Sequence, residues 1–365
     1  MLAPKSVPAF SFLTPLIMNK IRFGMCGTGF MGRTHAEAIR RLDSVASLTA
    51  VWGGSRAEAL AKDYGAAVEP TMEGLIRRKD VDAIVIATPH HLHVDEALLA
   101  FSLGKHAMIE KPITTTVADA DRLIAAAEKT KSVIGIVYQQ RFRMNNAKAC
   151  ELLRAGAIGK VLTVQVSMPL YKGEIRSGNF GGTWAWWDDP QSVGHLINSF
   201  PHAIDLMRWC LQAEVKNVSA FSRTFTPGLK VEDTTMAMIE MSNGTLFSLL
   251  SSNAFPTHPF PDEDFRFRIM GTTGLMDLNP YKELRVTDEK GEWKVASFQP
   301  PVGATAASSA FGDVRMAAYV KQVQAFLDGI AGKPMACGNG KDGRAGIAAC
   351  EAMLTSSREH RWVQP

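Results

Sequence analysis

The stretch Gly27-Thr28-Gly29-Phe30-Met31-Gly32 decides how this 365-residue chain is read. An apolar run, Ile21-Arg22-Phe23-Gly24-Met25-Cys26, precedes it, and Arg33-Thr34-His35-Ala36-Glu37-Ala38-Ile39 follows. The order predicted is strand, tight glycine turn, helix. The first Gly permits the turn, the second lets backbone approach a pyrophosphate, and the third lets the helix pack closely on the strand. Free N–H groups at the helix start, with the helix dipole, then face the phosphates. A lone G-x-G-x-x-G arises by chance in glycine-containing chains. Here the flanks fit on both sides, so Gly27, Gly29, Phe30, Met31 and Gly32 are read as a dinucleotide cradle.

Composition allows a sizeable core. The chain is 46% hydrophobic, and its length suggests two domains. The net charge of +4 is spread thinly, and no Lys/Arg run is interleaved with aromatics. That points away from a nucleic-acid partner. The five cysteines, Cys26, Cys150, Cys210, Cys337 and Cys350, are scattered without a C-x-x-C pair. Reduced structural thiols in a cytoplasmic protein are expected. Phe10 to Ile17 is apolar, but Pro8 and Pro15 interrupt the segment and it is too short to span a bilayer. No membrane span or secretory signal is expected. Residues 1–18 are read as a disordered arm, or as an extension upstream of the true start.

Outward from the glycine turn, strands and helices alternate. Leu48–Trp52, Ala83–Ala87, His106–Ile109 and Val133–Tyr138 read as strands. Helices are predicted through Leu42 and over Arg56–Tyr64, His93–Leu103 and Val117–Lys129, with a short one capped by Thr71. Ala83–Ala87 is a continuous apolar run, as a parallel strand buried on both faces requires. The pattern gives an α/β domain over residues 19–143, a doubly wound parallel sheet of the Rossmann type. From residue 144 the pattern changes. Longer strands are predicted over Val161–Met168, Val215–Phe225, Thr234–Glu240, Leu246–Ser252 and Phe265–Ile269. Asn243-Gly244 is a hairpin signal, and Gly271 to Gly274 is another turn. With helices over Asn146–Arg154, His202–Leu211, Val314–Ile330 and Asp342–Ser357, residues 144–365 read as an α+β domain with a mostly antiparallel sheet.

Four stretches bear chemistry. Dinucleotide folds often place an acid on the adenosine ribose about 20 residues past the last Gly. That place reads Val51-Trp52-Gly53-Gly54-Ser55-Arg56, with no acid. Ser55 and Arg56 suit a 2′-phosphate, so NADP is favoured over NAD. Thr88-Pro89-His90-His91-Leu92-His93 lies beyond the carboxyl end of a strand, where ligands of open α/β sheets bind. Its three histidines have no strong ligand partners beside them, so a helix-capping or cofactor-contacting loop is expected and a metal is not. Glu110-Lys111-Pro112 follows the next strand. A Lys fixed there can hydrogen-bond a substrate hydroxyl and favour its deprotonation. The tripeptide alone reads better as a surface Lys, and context reverses that. In Gly194-His195-Leu196-Ile197-Asn198-Ser199-Phe200-Pro201-His202-Ala203-Ile204-Asp205, Asn198 and His202 approach a common site if the segment is helical. A neutral His suits acceptance of a hydroxyl proton near pH 7, although a His near a helix start is usually structural.

Taken together, these residues resemble the Gfo/Idh/MocA oxidoreductases, the glucose–fructose oxidoreductase and inositol dehydrogenase group, over roughly Asn19 to Val363. Glu110-Lys111-Pro112 at its distance from the glycine turn, and the Asn198…His202…Asp205 pattern before an apolar helix, carry the resemblance. It implies a Rossmann domain, then an α+β domain with a large open sheet, with a nicotinamide between them. That sheet commonly forms the subunit interface, which implies a homodimer or homotetramer. Lys111 is implied as the catalytic lysine and His202 as the acid/base residue. Pro89, His90, His93, Glu110, Lys111 and Gln139 are implied to lie along the cofactor.

The chain also departs from that pattern. Many members have Asp where Asn198 stands; an amide cannot raise the basicity of a neighbouring His as a carboxylate does, but it can hold a substrate hydroxyl. The usual Asn after Thr-Pro is His90. The glycine cluster is thinned to Ser192-Val193-Gly194-His195, which makes His195 a second candidate. Trp184-Ala185-Trp186-Trp187-Asp188-Asp189 is aromatic and acidic, and Trp187 and Tyr171 are read as pocket wall beside His195, Asn198 and His202. The expected activity is hydride transfer between a secondary alcohol of a sugar, polyol or glycoside and NAD(P). A redox-neutral glycosidase or lyase working by transient sugar oxidation, a dehydrogenase of a dihydrodiol or hydroxy-aromatic substrate, and a non-enzymatic dinucleotide sensor stand as alternatives.

Overall fold

The computed structural model describes residues 20–171, 191, 193–256, 265–300 and 311–365, the side chains of Leu170 and Tyr171 excepted. The expectations for residues 1–18, for the side chain of Tyr171 and for Trp187 with its Trp184–Asp189 neighbours lie outside the described residues.

The glycine turn joins strand β1 (Ile21–Cys26) to helix α1 (Phe30–Arg40), as predicted. β2 (Ala46–Trp52), α2 (Ala57–Tyr64), β3 (Ala67–Val68), α3 (Met72–Arg77) and β4 (Ala83–Ile86) follow. Thr71 caps α3, its hydroxyl accepting from Gly74 N at 3.0 Å. Then come α4 (His93–Ser102), β5 (His106–Ile109), α5 (Val117–Thr130) and β6 (Ile134–Ile136). The six strands form one parallel sheet in the order β3-β2-β1-β4-β5-β6. Strand order reverses between β1 and β4, and that switch point opens a crevice at the carboxyl ends. All of β4 is buried, which is why its sequence shows no alternation.

The second sheet begins after α6 (Met144–Arg154) with β7 (Val161–Tyr171). Two helices, α7 (His195–Ser199) and α8 (Pro201–Leu211), precede β8 (Val215–Arg223), β9 (Thr234–Met241) and β10 (Leu246–Phe255). β11 (Arg266–Gly271), β12 (Leu275–Leu278), β13 (Glu283–Thr287) and β14 (Trp293–Phe298) complete an eight-stranded sheet ordered β14-β13-β12-β11-β7-β10-β9-β8. Only β7 and β10 pair in parallel. Gly244 takes φ +85° in the β9–β10 hairpin, so the Asn243-Gly244 signal marks a real turn. β12 to β14 were not predicted. They are short, and β14 is an almost wholly exposed edge without the alternation that marks a half-buried strand.

The last two helices return to the first sheet. On α9 (Asp313–Ile330), Met316, Tyr319, Val323 and Phe326 share a core with Phe23, Met25, Val85, Met108 and Val137 of the parallel sheet. Phe326 fills the space over Gly135, where a Cβ would come within 2.5 Å of its ring. α10 (Gly340–Glu359) packs against β8, α5 and α8. A buried ion network ties these parts together. The Arg141 guanidinium, in the turn after β6, donates to both carboxylate oxygens of Asp205 on α8 at 2.5 and 2.8 Å. The Arg141 side chain also lies 3.1 Å from Asp342 in the first turn of α10. On the large sheet, inward positions such as Ala237, Ile239, Phe247 and Leu249 are buried. The opposite face exposes Phe221 (58%), Met236 (59%) and Met238 (48%), an apolar surface that a solvated face does not ordinarily carry.

Candidate active site

The three glycines of the turn meet three different constraints. Gly27 takes φ +94°, and a Cβ there would lie 2.4 Å from Ala87 O at the exit of β4. A Cβ on Gly32 would lie 2.1 Å from Gly27 O, so only glycine lets α1 sit this close to the strand. A Cβ on Gly29 would meet nothing within 4 Å, so open space lies above the turn. No side chain caps the start of α1, and none of its first-turn residues is acidic. Open space, uncapped N–H groups and an unopposed positive dipole end fit a pyrophosphate. Phe30 and Met31 are half-buried there. At the end of β2, Gly53 and Gly54 turn with φ +98° and +76°, and Ser55 and Arg56 stand exposed at the start of α2. The Thr28 hydroxyl donates to Gly53 O, joining the two loops.

The β4 and β5 exits are stapled together by His93. Its fully buried ring lies 3.0 Å from Thr88 O through Nε2 and 3.0 Å from Pro112 O through Nδ1. Neutral, His93 donates its one N–H to one of these carbonyls and packs between the two loops, while Pro89 is exposed beside it and His90 is buried. Glu110 is also held from two sides: Oε1 lies 2.9 Å from His35 Nε2, and Oε2 accepts from Lys111 N at 3.1 Å. The Lys111 ammonium donates to the backbone carbonyl of Asn198 at 2.8 Å. One hydrogen bond therefore joins the β5 loop to α7. Burial lowers the pKa of Lys111, and Glu110 partly opposes that shift.

Sequence reasoning brought Asn198, His202 and Lys111 toward one place, and in the structure Lys111 bonds the Asn198 backbone carbonyl and its charge acts on His202. The Asn198 side chain is buried and donates back to Gly194 O at 3.0 Å, so its carbonyl rather than its amide meets Lys111. His195 is buried between two hydroxyls, Ser199 at 3.2 Å and Ser251 at 3.1 Å. Desolvation pushes its pKa down to about 3, with Asp233 opposing and Lys111 reinforcing. His202 is only half-buried, its ring edge-on to Tyr138 at 6.3 Å. Its Nδ1 has no hydrogen-bond partner among the described residues. Burial, then Lys111 and Arg143, hold His202 well below the usual imidazole pKa, so it is neutral at pH 7. Gln139 is buried in the turn after β6.

Several site neighbours went unnoticed in the sequence: His35, Arg141, Arg143, Tyr281 and Tyr319. Arg141 and Arg143 follow the last parallel strand directly, so the rule that ligands bind at carboxyl ends was a usable signal for both. His35 and Tyr319, with rings 6.0 Å apart, meet across α1 and α9, far apart in sequence. Tyr281 covers the Arg143 guanidinium at 4.4 Å from a turn between two unpredicted strands.

Two family profiles match in succession. An oxidoreductase family profile described as an NAD-binding Rossmann fold matches residues 21–138, and the GFO/IDH/MocA C-terminal domain matches residues 146–277. The chain belongs to the Gfo/Idh/MocA oxidoreductase family. Inositol 2-dehydrogenase 2 of Saccharopolyspora erythraea is 27% identical over 345 residues, 92% of this chain and 93% of that protein. The 1-carboxy-3-chloro-3,4-dihydroxycyclohexa-1,5-diene dehydrogenase of Comamonas testosteroni is 28% identical over 49% of this chain, and the match spans 44% of its own length, less than half. An oxidoreductase structure from Thermotoga maritima superposes with a TM-score of 0.79 at 26% identity, covering 95% of this chain and 98% of that one.

His195 and His202 each contribute to this Gfo/Idh/MocA fold a stability that acid removes. His195 and His202 have folded pKa values below the unfolded value of about 6.5. Below that value the unfolded state binds more protons, so this contribution is full above pH 6.5 and falls as pH drops. For His195, held down to about 3, the expected loss approaches about 2 kcal/mol by pH 5; His202 adds a loss of the same sign. Urea unfolding at pH 7 and pH 5 measures it, and His195→Gln should remove its share of the difference. An unchanged pH 7-to-pH 5 difference in His195→Gln contradicts the assignment. The wild-type difference alone does not test it, because the buried carboxyls of Glu96 and Glu232, raised to about 8 and about 7, gain stability over the same range.

Proposed function

We propose that the chain is an NAD(P)-dependent dehydrogenase that oxidises a secondary alcohol of a sugar, polyol or glycoside, or runs the reverse reduction. The observation that carries the reading is the Lys111 ammonium, anchored on Asn198 O within the electrostatic reach of a neutral His202. Bound nicotinamide supplies a hydride acceptor at C4. In this reading Gly27, Gly29, Phe30, Met31 and Gly32 hold the pyrophosphate, and Pro89, His90, His93, Glu110 and Gln139 shape the rest of the cofactor cleft. Lys111 stabilises the substrate oxygen as its proton leaves, and His202 accepts that proton. Glu110, held by His35, keeps the Lys111 backbone in place. Asn198 positions Lys111 through its carbonyl. Buried between serines, His195 orients α7 and supports the substrate pocket from behind.

The family relatives support the substrate class, since one is named for inositol and another for a dihydroxycyclohexadiene. The latter keeps a dihydrodiol substrate as the second reading. The exposed Ser55 and Arg56 at the β2 exit, with no acid among Gly53–Arg56, favour NADP. The family profile is described by NAD binding, so both nicotinamides belong in the assay. We further propose a homodimer or homotetramer built on the outer face of the large sheet. There Phe221 pairs with Met236, and Met236 with Leu250, as one apolar row across three strands.

Three outcomes are expected. Lys111→Ala and His202→Ala should each lower kcat by about 10²–10⁴-fold with nicotinamide affinity retained, read by steady-state kinetics and cofactor titration. Full turnover in either variant refutes the roles. Arg56→Ala should raise the apparent KM for NADP far more than for NAD, whereas equal effects count against a 2′-phosphate contact. Met236→Glu should lower the mass measured by light scattering to that of a smaller species. An unchanged oligomer, or a monomeric wild type, rules out this face as the interface.

A further inference from the structure

Arg143 is a buried cation that the proposed chemistry does not use. Its side chain lies in the loop between β6 and α6, at the carboxyl-end rim of the parallel sheet, and the residue is only 6% exposed. Both Nε and Nη1 are buried without a hydrogen-bond acceptor among the described residues. The Tyr281 ring covers the guanidinium face at 4.4 Å from the ring centre, but a π face accepts no bond from N–H groups lying in the guanidinium plane. No described carboxylate forms an ion pair with it. The carboxylates nearby are committed elsewhere: Glu110 to His35 and Lys111 N, and Asp205 to Arg141.

A buried, unpaired guanidinium is costly in a folded protein, and arginine cannot shed its proton to escape that cost. The usual resolution is an anion that arrives with the ligand. The position of Arg143 says which ligand. Its charge acts on His202, as does that of Lys111, so it faces the reacting end of the cleft rather than the adenosine end. Arg56 and the glycine turn lie at other strand ends, on β2 and β1. Lys111, with Glu110 as its neighbouring charge, is assigned to the substrate oxygen, which leaves the Arg143 guanidinium for a further anion. That matches a single carboxylate; a phosphate dianion calls for more donors.

We propose that Arg143 is a specificity-determining residue that binds a carboxylate on the substrate, so that the alcohol oxidised belongs to a sugar acid or another carboxylated polyol. The inference rests on the dehydrogenase reading for the identity of the reacting group, but the anion site stands on the geometry of Arg143. An anion there also offsets one of the two cations that hold His202 neutral, which favours the proton transfer asked of it.

Matched pairs test this on the full chain loaded with nicotinamide: D-glucuronate with D-glucose, D-galacturonate with D-galactose, and D-gluconate with sorbitol. Binding is read by calorimetry and turnover by nicotinamide absorbance. At least one acid should bind about 30-fold or more tightly than its neutral partner, the scale expected for a desolvated charge pair. Arg143→Met should abolish that preference, and Arg143→Lys should retain part of it, while nicotinamide affinity changes by no more than about 3-fold because uniform binding elsewhere is untouched. Retention of part of the preference by the lysine variant separates lost recognition from lost folding. No acid preference in the wild type, no binding of any acid, or a preference that survives in Arg143→Met overturns the proposal. Oxidation of a neutral polyol without acid preference sinks the carboxylate site and leaves the dehydrogenase reading standing. Selective acid binding without nicotinamide reduction supports the site and counts against that reading.

Discussion

The buried pair between Arg141 and Asp205 holds the two halves of this molecule in the relation that the proposed hydride-transfer site needs. Arg141 stands one turn beyond the last parallel strand, and Asp205 stands three residues past His202 on the same helix. Two bonds of 2.5 and 2.8 Å fix the helix that carries His202 to the sheet that carries Lys111. Asp342 adds the first turn of α10 to the same guanidinium. Burial lifts the Asp205 carboxyl to about 6 against the pull of Arg141, so it remains charged at neutral pH. Removing one partner of such a pair typically costs about 3–5 kcal/mol, because the other is left buried and unpaired. The pair therefore acts more as a constraint on geometry than as a reservoir of stability.

Within that frame the site is assembled from strand ends. The glycine turn leaves room above Gly29 and presents uncapped N–H groups. His93 locks the β4 exit to the β5 exit. Lys111 then reaches across to the Asn198 carbonyl. The same burial that lowers the Lys111 pKa also keeps His202 neutral, and the two cations beside His202 reinforce it. The polar groups thus differ in how they are held: both ring nitrogens of His195 and His93 face polar partners, while among the described residues His202 and Arg143 keep open valences. Other buried polar atoms, such as Ser167 Oγ and Gln322 Oε1, also lack partners, but those of His202 and Arg143 lie beside the proposed cleft, where a ligand can meet them.

Much of this was legible from local pattern. Ile21–Cys26, the glycine turn and the buried run Ala83–Ile86 each satisfy a rule about neighbours in sequence, and the parallel sheet follows. The Asn243-Gly244 hairpin and the Thr71 cap are equally local. What could not be read depends on distant partners. Arg141 becomes meaningful only when Asp205, 64 residues away, is placed beside it. Phe326 belongs to the parallel sheet only because α9 returns there. His195 stood as a second candidate from the thinned glycine cluster, and its contacts with Ser199 and Ser251, the latter 56 residues on, could not be read locally. Asn198 was read for its amide, although its carbonyl makes the contact with Lys111. β12 and β13 escaped because they are only four and five residues long, and β14 because it is an exposed edge without alternation.

The central claim is that hydride leaves the substrate carbon beside Lys111 and His202 for the nicotinamide. Its most direct test supplies polyols and sugar acids deuterated at carbon to the wild-type chain with NAD or NADP, then measures label in the recovered cofactor by mass spectrometry. The account predicts one deuterium in each reduced nicotinamide, placed at C4. Reduced cofactor without label, or substrate conversion in which no nicotinamide ever acquires label, contradicts it.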